Sequence, residues 1–212
     1  MSQHLVLLGD SILDNAAYVP GRRPAVIDQV GSRLPTRWVA TLLARDGSVI
    51  DDVYRQLDAM PHDATLLVLS VGGNDALSHV GTLQKTVTTV GQGLRVLAEV
   101  CERFEGDYRR LLASIHDRGL PVGVCTVYNP SIHDLVARRE VVAALGLYDD
   151  SIIRVARELK FPVLELRAIC TDAADFVSQI EPSLRGGAKI ADAICQNFVG
   201  HDFGTRQTVI FP

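Results

Sequence analysis

The chain has no cationic excess: 21 Lys and Arg stand against 25 Asp and Glu, a net charge of −4 over 212 residues. Such a balance gives no overall electrostatic footprint for nucleic acid or an anionic membrane surface. Cysteine is sparse, and Cys101, Cys125, Cys170 and Cys195 lie too far apart in sequence to form a zinc-binding or redox pair. Each is expected to be a reduced, packed thiol. Tryptophan occurs once, at Trp38, where packing is the expected role. No apolar run approaches the ~20 residues of a membrane-crossing helix. The first residues also lack a cationic stretch followed by a long apolar one, so no export signal is expected. These absences predict a cytoplasmic chain with no nucleic-acid or membrane partner; they say nothing about oligomeric state. Three glycine motifs of other α/β enzymes are missing too: G-x-S-x-G, G-x-x-x-x-G-K-[ST], and G-x-G-x-x-G after the first strand.

What is present is a 47% hydrophobic sequence, ample for one core, with no repeat, low-complexity tract or linker to divide it. We read residues 1–212 as a single domain. Leu5 to Leu8 ends at Gly9, and Thr65 to Val71 ends at Gly72 and Gly73; both read as buried strands stopped by turn glycines. Trp38 to Leu43, Val122 to Val127 and Pro162 to Leu166 read as three more. Helix-length segments lie at 24–34, 82–118, 134–159 and 185–198. In the second of these, apolar residues from Val87 to Ile115 recur at steps of three and four, and Gly91, Gly93 and Gly106 are expected to bend or interrupt it. Strands alternating with helices predict right-handed crossovers and a three-layer α/β/α sandwich with a mainly parallel five-stranded sheet. The closing Thr208 to Phe211 either adds an edge strand or frays.

Ligands of open parallel sheets bind beyond the carboxyl ends of the strands, which directs attention to two short polar motifs. Gly9-Asp10-Ser11-Ile12 follows the first strand, and Gly72-Gly73-Asn74-Asp75 follows the third. Ser11 either exposes a nucleophilic hydroxyl there and offers its amide to an oxyanion, or merely caps a following helix. Asn74 either aims its side-chain amide at the same point or fills a turn. Together the two motifs favour the chemical reading. Asp10 and Asp14 would repel a phosphate from this crevice.

These residues resemble the SGNH or GDSL hydrolases, serine esterases and lipases on a flavodoxin-like three-layer fold. The resemblance implies Ser11 as nucleophile, Asn74 as oxyanion donor, and Gly47, in Arg45-Asp46-Gly47-Ser48, as a second donor. It implies no cofactor and no metal. The fourth block of the family, Asp-x-x-His before a helix, is not written here. In Ser178-Gln179-Ile180-Glu181-Pro182, Glu181 stands where the histidine belongs and Ser178 where the aspartate belongs. None of the six histidines has Asp three residues before it.

A serine nucleophile needs a base within hydrogen-bond reach. Glu181 could serve if burial or the nearby charges of Asp10, Asp14 and Asp75 raised its pKa; His133, in the loop after the fourth strand, could otherwise swing in. The sequence thus points to a serine esterase or acyl hydrolase acting on a small-molecule ester through an acyl-enzyme on Ser11. The alternative is a catalytically impaired protein of this fold that binds a small acylated or carbohydrate ligand. Glu165, at a strand end, and Arg22 and Arg23, in a proline-flanked turn, are further polar residues whose expected role is weaker.

Overall fold

The computed structural model describes residues 3–19, 21, 23–205 and 207–212; Arg22 lies outside them. Six strands form the main sheet: β1 (Gln3–Gly9), β2 (Trp38–Leu42), β3 (Leu66–Ser70), β4 (Val122–Cys125), β5 (Val163–Leu164) and, separated from them by two short strands, β8 (Ile210–Phe211). Their order is β2-β1-β3-β4-β5-β8, and every pairing is parallel. The expectation of five strands is therefore corrected to six, because the closing Thr208 to Phe211 segment does add an edge. β1, β3 and β4 are buried along nearly their whole length, as strands covered on both faces must be, which is why they appear in the sequence as unbroken apolar runs.

Helices cover both faces. On one side α1 (Val26–Arg33) packs against α7 (Leu184–Asn197). On the other α2 (Ile50–Asp58) meets α4 (Val90–His116), which lies beside α5 (Leu135–Leu159). The short α3 (Gly73–Ser78) and α6 (Leu166–Ile169) begin at strand ends. A two-stranded antiparallel hairpin, β6 (Phe176–Val177) and β7 (Glu181–Pro182), precedes α7. Among the described residues no helix is long and apolar enough to cross a membrane.

Two helices differ from expectation. α4 starts at Val90, where Thr89 caps it by accepting from Gln92 N at 3.1 Å, and not near residue 82; the intervening Val80–Gln84 is a single 3₁₀ turn. The helix then runs unbroken through Gly91, Gly93 and Gly106, because tertiary packing of its apolar face outweighs ~1 kcal/mol of propensity per glycine. α2 is a helix that the apolar pattern does not predict. Its Ile50, Val53, Gln56 and Leu57 are buried, but Asp51, Asp52 and Arg55 dilute that pattern over a nine-residue span.

The chain steps from β1 to β2 on one side and to β3 on the other, so the switch point of the sheet lies between β1 and β3. Gly9 ends β1 with φ +124°, and a Cβ there would sit 1.8 Å from the Ser70 carbonyl oxygen. Gly9→Ala should therefore cost about 3 kcal/mol or more by left-handed strain plus overpacking. Gly47, with φ +79° but open space around it, should lose only about 1–2 kcal/mol as Ala. Urea unfolding of the two variants measures the difference.

Candidate functional site

Between the upper ends of α4 and α5, at the carboxyl edge of the sheet, lies a cavity of about 190 Å³. Its wall carries Asp10, Ser11, Asn74 and Glu181 together with the apolar side chains of Leu97, Val100, Val141 and Leu145 and the Tyr148 ring. The two motifs read at adjacent strand ends do converge here, and Glu181 joins them from the fourth block.

Ser11 sits in the turn that follows β1, and no α-helix follows for it to cap. The turn is closed by Leu13 and Asp14 amides donating to the Asp10 carbonyl at 3.1 and 3.0 Å, and by the Ile12 amide donating to Asp10 Oδ1 at 3.1 Å. The Ser11 amide itself has no hydrogen-bond partner among the described residues. β1 holds this turn in place through Gln56, whose Nε2 donates to the Gly9 carbonyl at 2.9 Å while its Oε1 accepts from the Gly9 amide at 2.8 Å.

Asn74, in the first turn of α3, is held by its own side chain: Nδ2 donates to the Ser48 carbonyl at 3.0 Å. One amide hydrogen is thereby fixed and the second remains for the cavity. Gly47, next to Ser48, is exposed and lines a separate shallow hollow with Arg45 and Arg55. The structure does not place it in the cavity wall, so the expected second donor is not brought to the site.

Glu181 opens β7 at the base of a tight turn in which Ser178 and Gln179 both take left-handed backbone, φ 52° and 74°. Three hydrogen bonds brace that turn against the loop after β4. Gln179 O accepts from Ser131 N (2.7 Å), Gln179 Oε1 accepts from His133 N (2.7 Å), and Tyr128 Oη donates to Ile180 O (2.7 Å). From the other side fully buried Asn15 donates to the Pro182 carbonyl at 3.1 Å and accepts from Val26 N at 2.8 Å. Glu181 Oε2 is buried without a partner. Burial raises the Glu181 pKa above its ordinary value, polar contact with the Ser11 hydroxyl works against that rise, and Asp46 adds to it.

The other acidic candidates divide. Asp10 is buried beneath the site, and desolvation, with smaller contributions from Glu181 and Asp75, pushes its pKa to about 8, so it is a neutral acid at pH 7. Asp75, mostly desolvated, rises to about 6; its Oδ1 accepts from Ile50 N at 3.3 Å. Asp14 is outside the wall, accepting from Asp46 N at 3.1 Å. His133 is exposed and also outside the wall; its swing into the site is not supported, because the loop carrying it is tied down at Ser131 and His133. The histidine that does line the mouth is His79, with Nδ1 2.9 Å from the Asp75 carbonyl oxygen. Glu165 is occupied by Arg167 at 2.5 Å and by the Thr126 hydroxyl at 2.8 Å, a structural ion pair. Trp38 packs at the start of β2, and all four cysteines are free thiols. Sequence reasoning missed Gln56, Asn15 and Tyr128, buried polar groups in stretches that carry no motif.

Two outcomes follow from this geometry. A carboxyl with a folded pKa near 8 and an unfolded one near 3.8 binds its proton more tightly when folded, so its favourable contribution is complete below about pH 4 and is lost as pH rises to about 8. Asp10→Asn, which keeps the acceptor for Ile12, should flatten that decline and raise Tm relative to the parent at pH 9 more than at pH 5. Asn15→Ala leaves a buried carbonyl and a buried amide unpaired, which should cost about 2–3 kcal/mol in denaturant unfolding.

No curated protein matches the sequence. Solved structures match at the level of fold: the extracellular lipase of Streptomyces rimosus does so at 14% identity with a TM-score of 0.68, covering 92% of this chain and 99% of that one. Phospholipase A1 of Streptomyces albidoflavus NA297 matches with the same identity, score and coverage. An acetyl xylan esterase of Geobacillus stearothermophilus matches at 16% identity with a TM-score of 0.62, covering 92% of this chain and 93% of that one. The family described as GDSL-like lipase/acylhydrolase matches residues 7–185, a span from within β1 to the start of α7 that includes Ser11, Asn74 and Glu181. The chain belongs to the GDSL-like lipase/acylhydrolase family.

Proposed function

We propose that this protein is a serine acyl hydrolase in which Glu181 replaces histidine as the general base. The observation that carries the reading is the convergence of the Ser11, Asn74 and Glu181 side chains on the wall of one apolar cavity.

In the first half-reaction the Ser11 hydroxyl attacks the ester carbonyl carbon and gives its proton to the Glu181 carboxylate. The tetrahedral oxyanion is met by the unpaired Ser11 amide and the free hydrogen of Asn74 Nδ2, groups already oriented by the turn and by Ser48. Collapse of the intermediate expels the alcohol, which takes the proton from Glu181, and leaves the acyl group on Ser11 Oγ. Water then attacks the acyl carbon, giving its proton to Glu181; as the second tetrahedral intermediate collapses, the bond to Ser11 Oγ breaks, Glu181 returns the proton to Oγ, and the acid departs. The neutral state of Asp10 matters here, since a second negative charge beneath the serine would oppose the developing oxyanion. The apolar depth of the cavity suits the hydrocarbon part of the acyl group, so an aliphatic acyl chain is favoured over a carbohydrate in that position. Lipase and phospholipase relatives of the fold fit this assignment.

A carboxylate base acts only when ionised. The acid limb of kcat/KM should therefore have an apparent pKa above the ordinary glutamate value of about 4.3, with activity rising through it as pH increases. Glu181→Gln should abolish that limb and lower kcat by about 10²–10⁴-fold on aliphatic p-nitrophenyl esters. Unchanged turnover in that variant removes Glu181 from the mechanism. An alkyl phosphonate should label Ser11, read by peptide mass spectrometry. Absence of labelling in a folded protein favours a ligand-binding protein without chemistry.

A further inference from the structure

The apolar stripe of α4 does not stop at the cavity. Leu97 and Cys101 line it, and the same stripe continues outward through Leu94 and Val90, one and two turns nearer the helix start. There it is open to solvent: Leu94 is 60% and Val90 81% exposed. α5 begins at the same edge of the sheet with Leu135 and Val136, 68% and 66% exposed. Leu77 and Val80, themselves in the cavity wall, are about half exposed. Large aliphatic residues scattered singly on a surface are ordinary, but a group of them around one cavity mouth, continuous with its lining, marks a contact surface.

Charge distinguishes this surface from the rest of the chain. The two segments that supply it, 77–95 and 129–140, carry Lys85, Arg95, Arg138 and Arg139 against two carboxylates, Asp134 and Glu140, in a protein whose net charge is −4. Asp134 is turned into its own helix, accepting from Val136 N and Ala137 N at 2.8 and 3.2 Å. All four cations are exposed, and among the described residues none forms an ion pair. The arginines of the lower α4–α5 interface, by contrast, are paired: Arg109 with Glu105 and Glu158, Arg154 with Glu105. Exposed aliphatic side chains set among unpaired cations are the composition of a surface that lies in the headgroup zone of an anionic bilayer.

We propose that the rim formed by Val80, Val90, Leu94, Leu135 and Val136, with Lys85, Arg95, Arg138 and Arg139 around it, docks the protein on an anionic lipid surface with the cavity mouth facing the bilayer. The aliphatic residues enter the boundary between headgroups and chains, and the cations meet the lipid phosphates. An acyl chain can then pass from the bilayer into the cavity without crossing water. This places the source of the substrate at a membrane, whereas the overall charge of the sequence points away from one. The orientation of the mouth rests on the acyl-hydrolase reading, while the docking does not.

The two are therefore measured separately. Docking is read on the full-length Ser11→Ala protein, by co-sedimentation with vesicles of phosphatidylglycerol and phosphatidylcholine or of phosphatidylcholine alone. Binding to the anionic vesicles should exceed binding to the neutral ones at least 10-fold and should fall as salt is raised from 0.05 to 0.5 M, concentrations chosen to span strong and weak screening (about 10 Å Debye length at 0.1 M). Arg138→Glu with Arg139→Glu should reduce it by roughly 5-fold or more per residue. Folding of that variant is protected by position, since glutamate is favourable in the first turns of a helix. Val90→Ser with Leu135→Ser should also weaken sedimentation, while hydrolysis of a water-soluble p-nitrophenyl ester by the same variant in a Ser11 background stays within about two-fold. Equal sedimentation with both vesicle types, or none with either, overturns the proposal. So does a dimer in light scattering that Val90→Ser with Leu135→Ser disperses, which would assign the rim to a second copy of the chain. Loss of ester hydrolysis with docking intact would instead count against the catalytic reading alone.

Discussion

Both backbone groups of Gly9 are held by one side chain. Gln56 donates to its carbonyl and accepts from its amide, while on the opposite side Gly9 presses so closely on Ser70 that no Cβ fits between them. This clamp fixes the end of β1 relative to both α2 and β3. The turn carrying Asp10 and Ser11 begins one residue later, held by its own short hydrogen bonds and by the Asp10 amide donating to the Ser70 carbonyl at 3.1 Å. Gln56 is itself buried and supported by contact with the Ser48 hydroxyl at 3.3 Å, and the Ser48 carbonyl fixes Asn74. Ser11 and Asn74 are thus registered to each other through one buried polar chain rather than through direct contact. Fully satisfied networks of this kind hold geometry more rigidly than apolar packing does.

The electrostatics of the site follow from putting three carboxyls near one hydroxyl. Burial disfavours charge on each, and for Asp10 the neighbouring Glu181 and Asp75 disfavour it further. Asp10, wholly enclosed, is the one that stays protonated. Glu181 is half enclosed, and contact with the Ser11 hydroxyl favours its ionised form. The two carboxyls are thus placed differently, Asp10 held neutral by full burial and Glu181 raised less completely because it is only partly enclosed.

The architecture was legible in the sequence because the interior strands are short apolar runs stopped by glycine, a pattern with few alternatives. Ser11 and Asn74 were legible for the same reason, since the motifs stand directly at those strand ends. Gly47 was not, because one glycine in a turn carries no information about which way its amide points. α2 was hidden by its acidic outer face, and the start of α4 by aliphatic residues from Val87 to Leu94 that continue a helical pattern yet stay exposed. Buried polar residues such as Asn15 and Tyr128 leave no trace in a periodicity, because their partners are carbonyls that every residue has. The position of Glu181 could be aligned with a missing histidine, but the left-handed turn at Ser178 and Gln179 that aims it belongs to tertiary structure alone.

α4 and α5 are cross-linked only in their lower halves. Arg109 joins Glu158, Arg154 joins Glu105, and the Phe104 and Tyr148 rings meet at 4.7 Å; among the described residues no ion pair spans the helices above Glu105. Rods fastened at one end move most at the other, and here the free end borders the cavity. A chain entering the cavity therefore passes between a pair of helix tips that, among the described residues, no ion pair ties together.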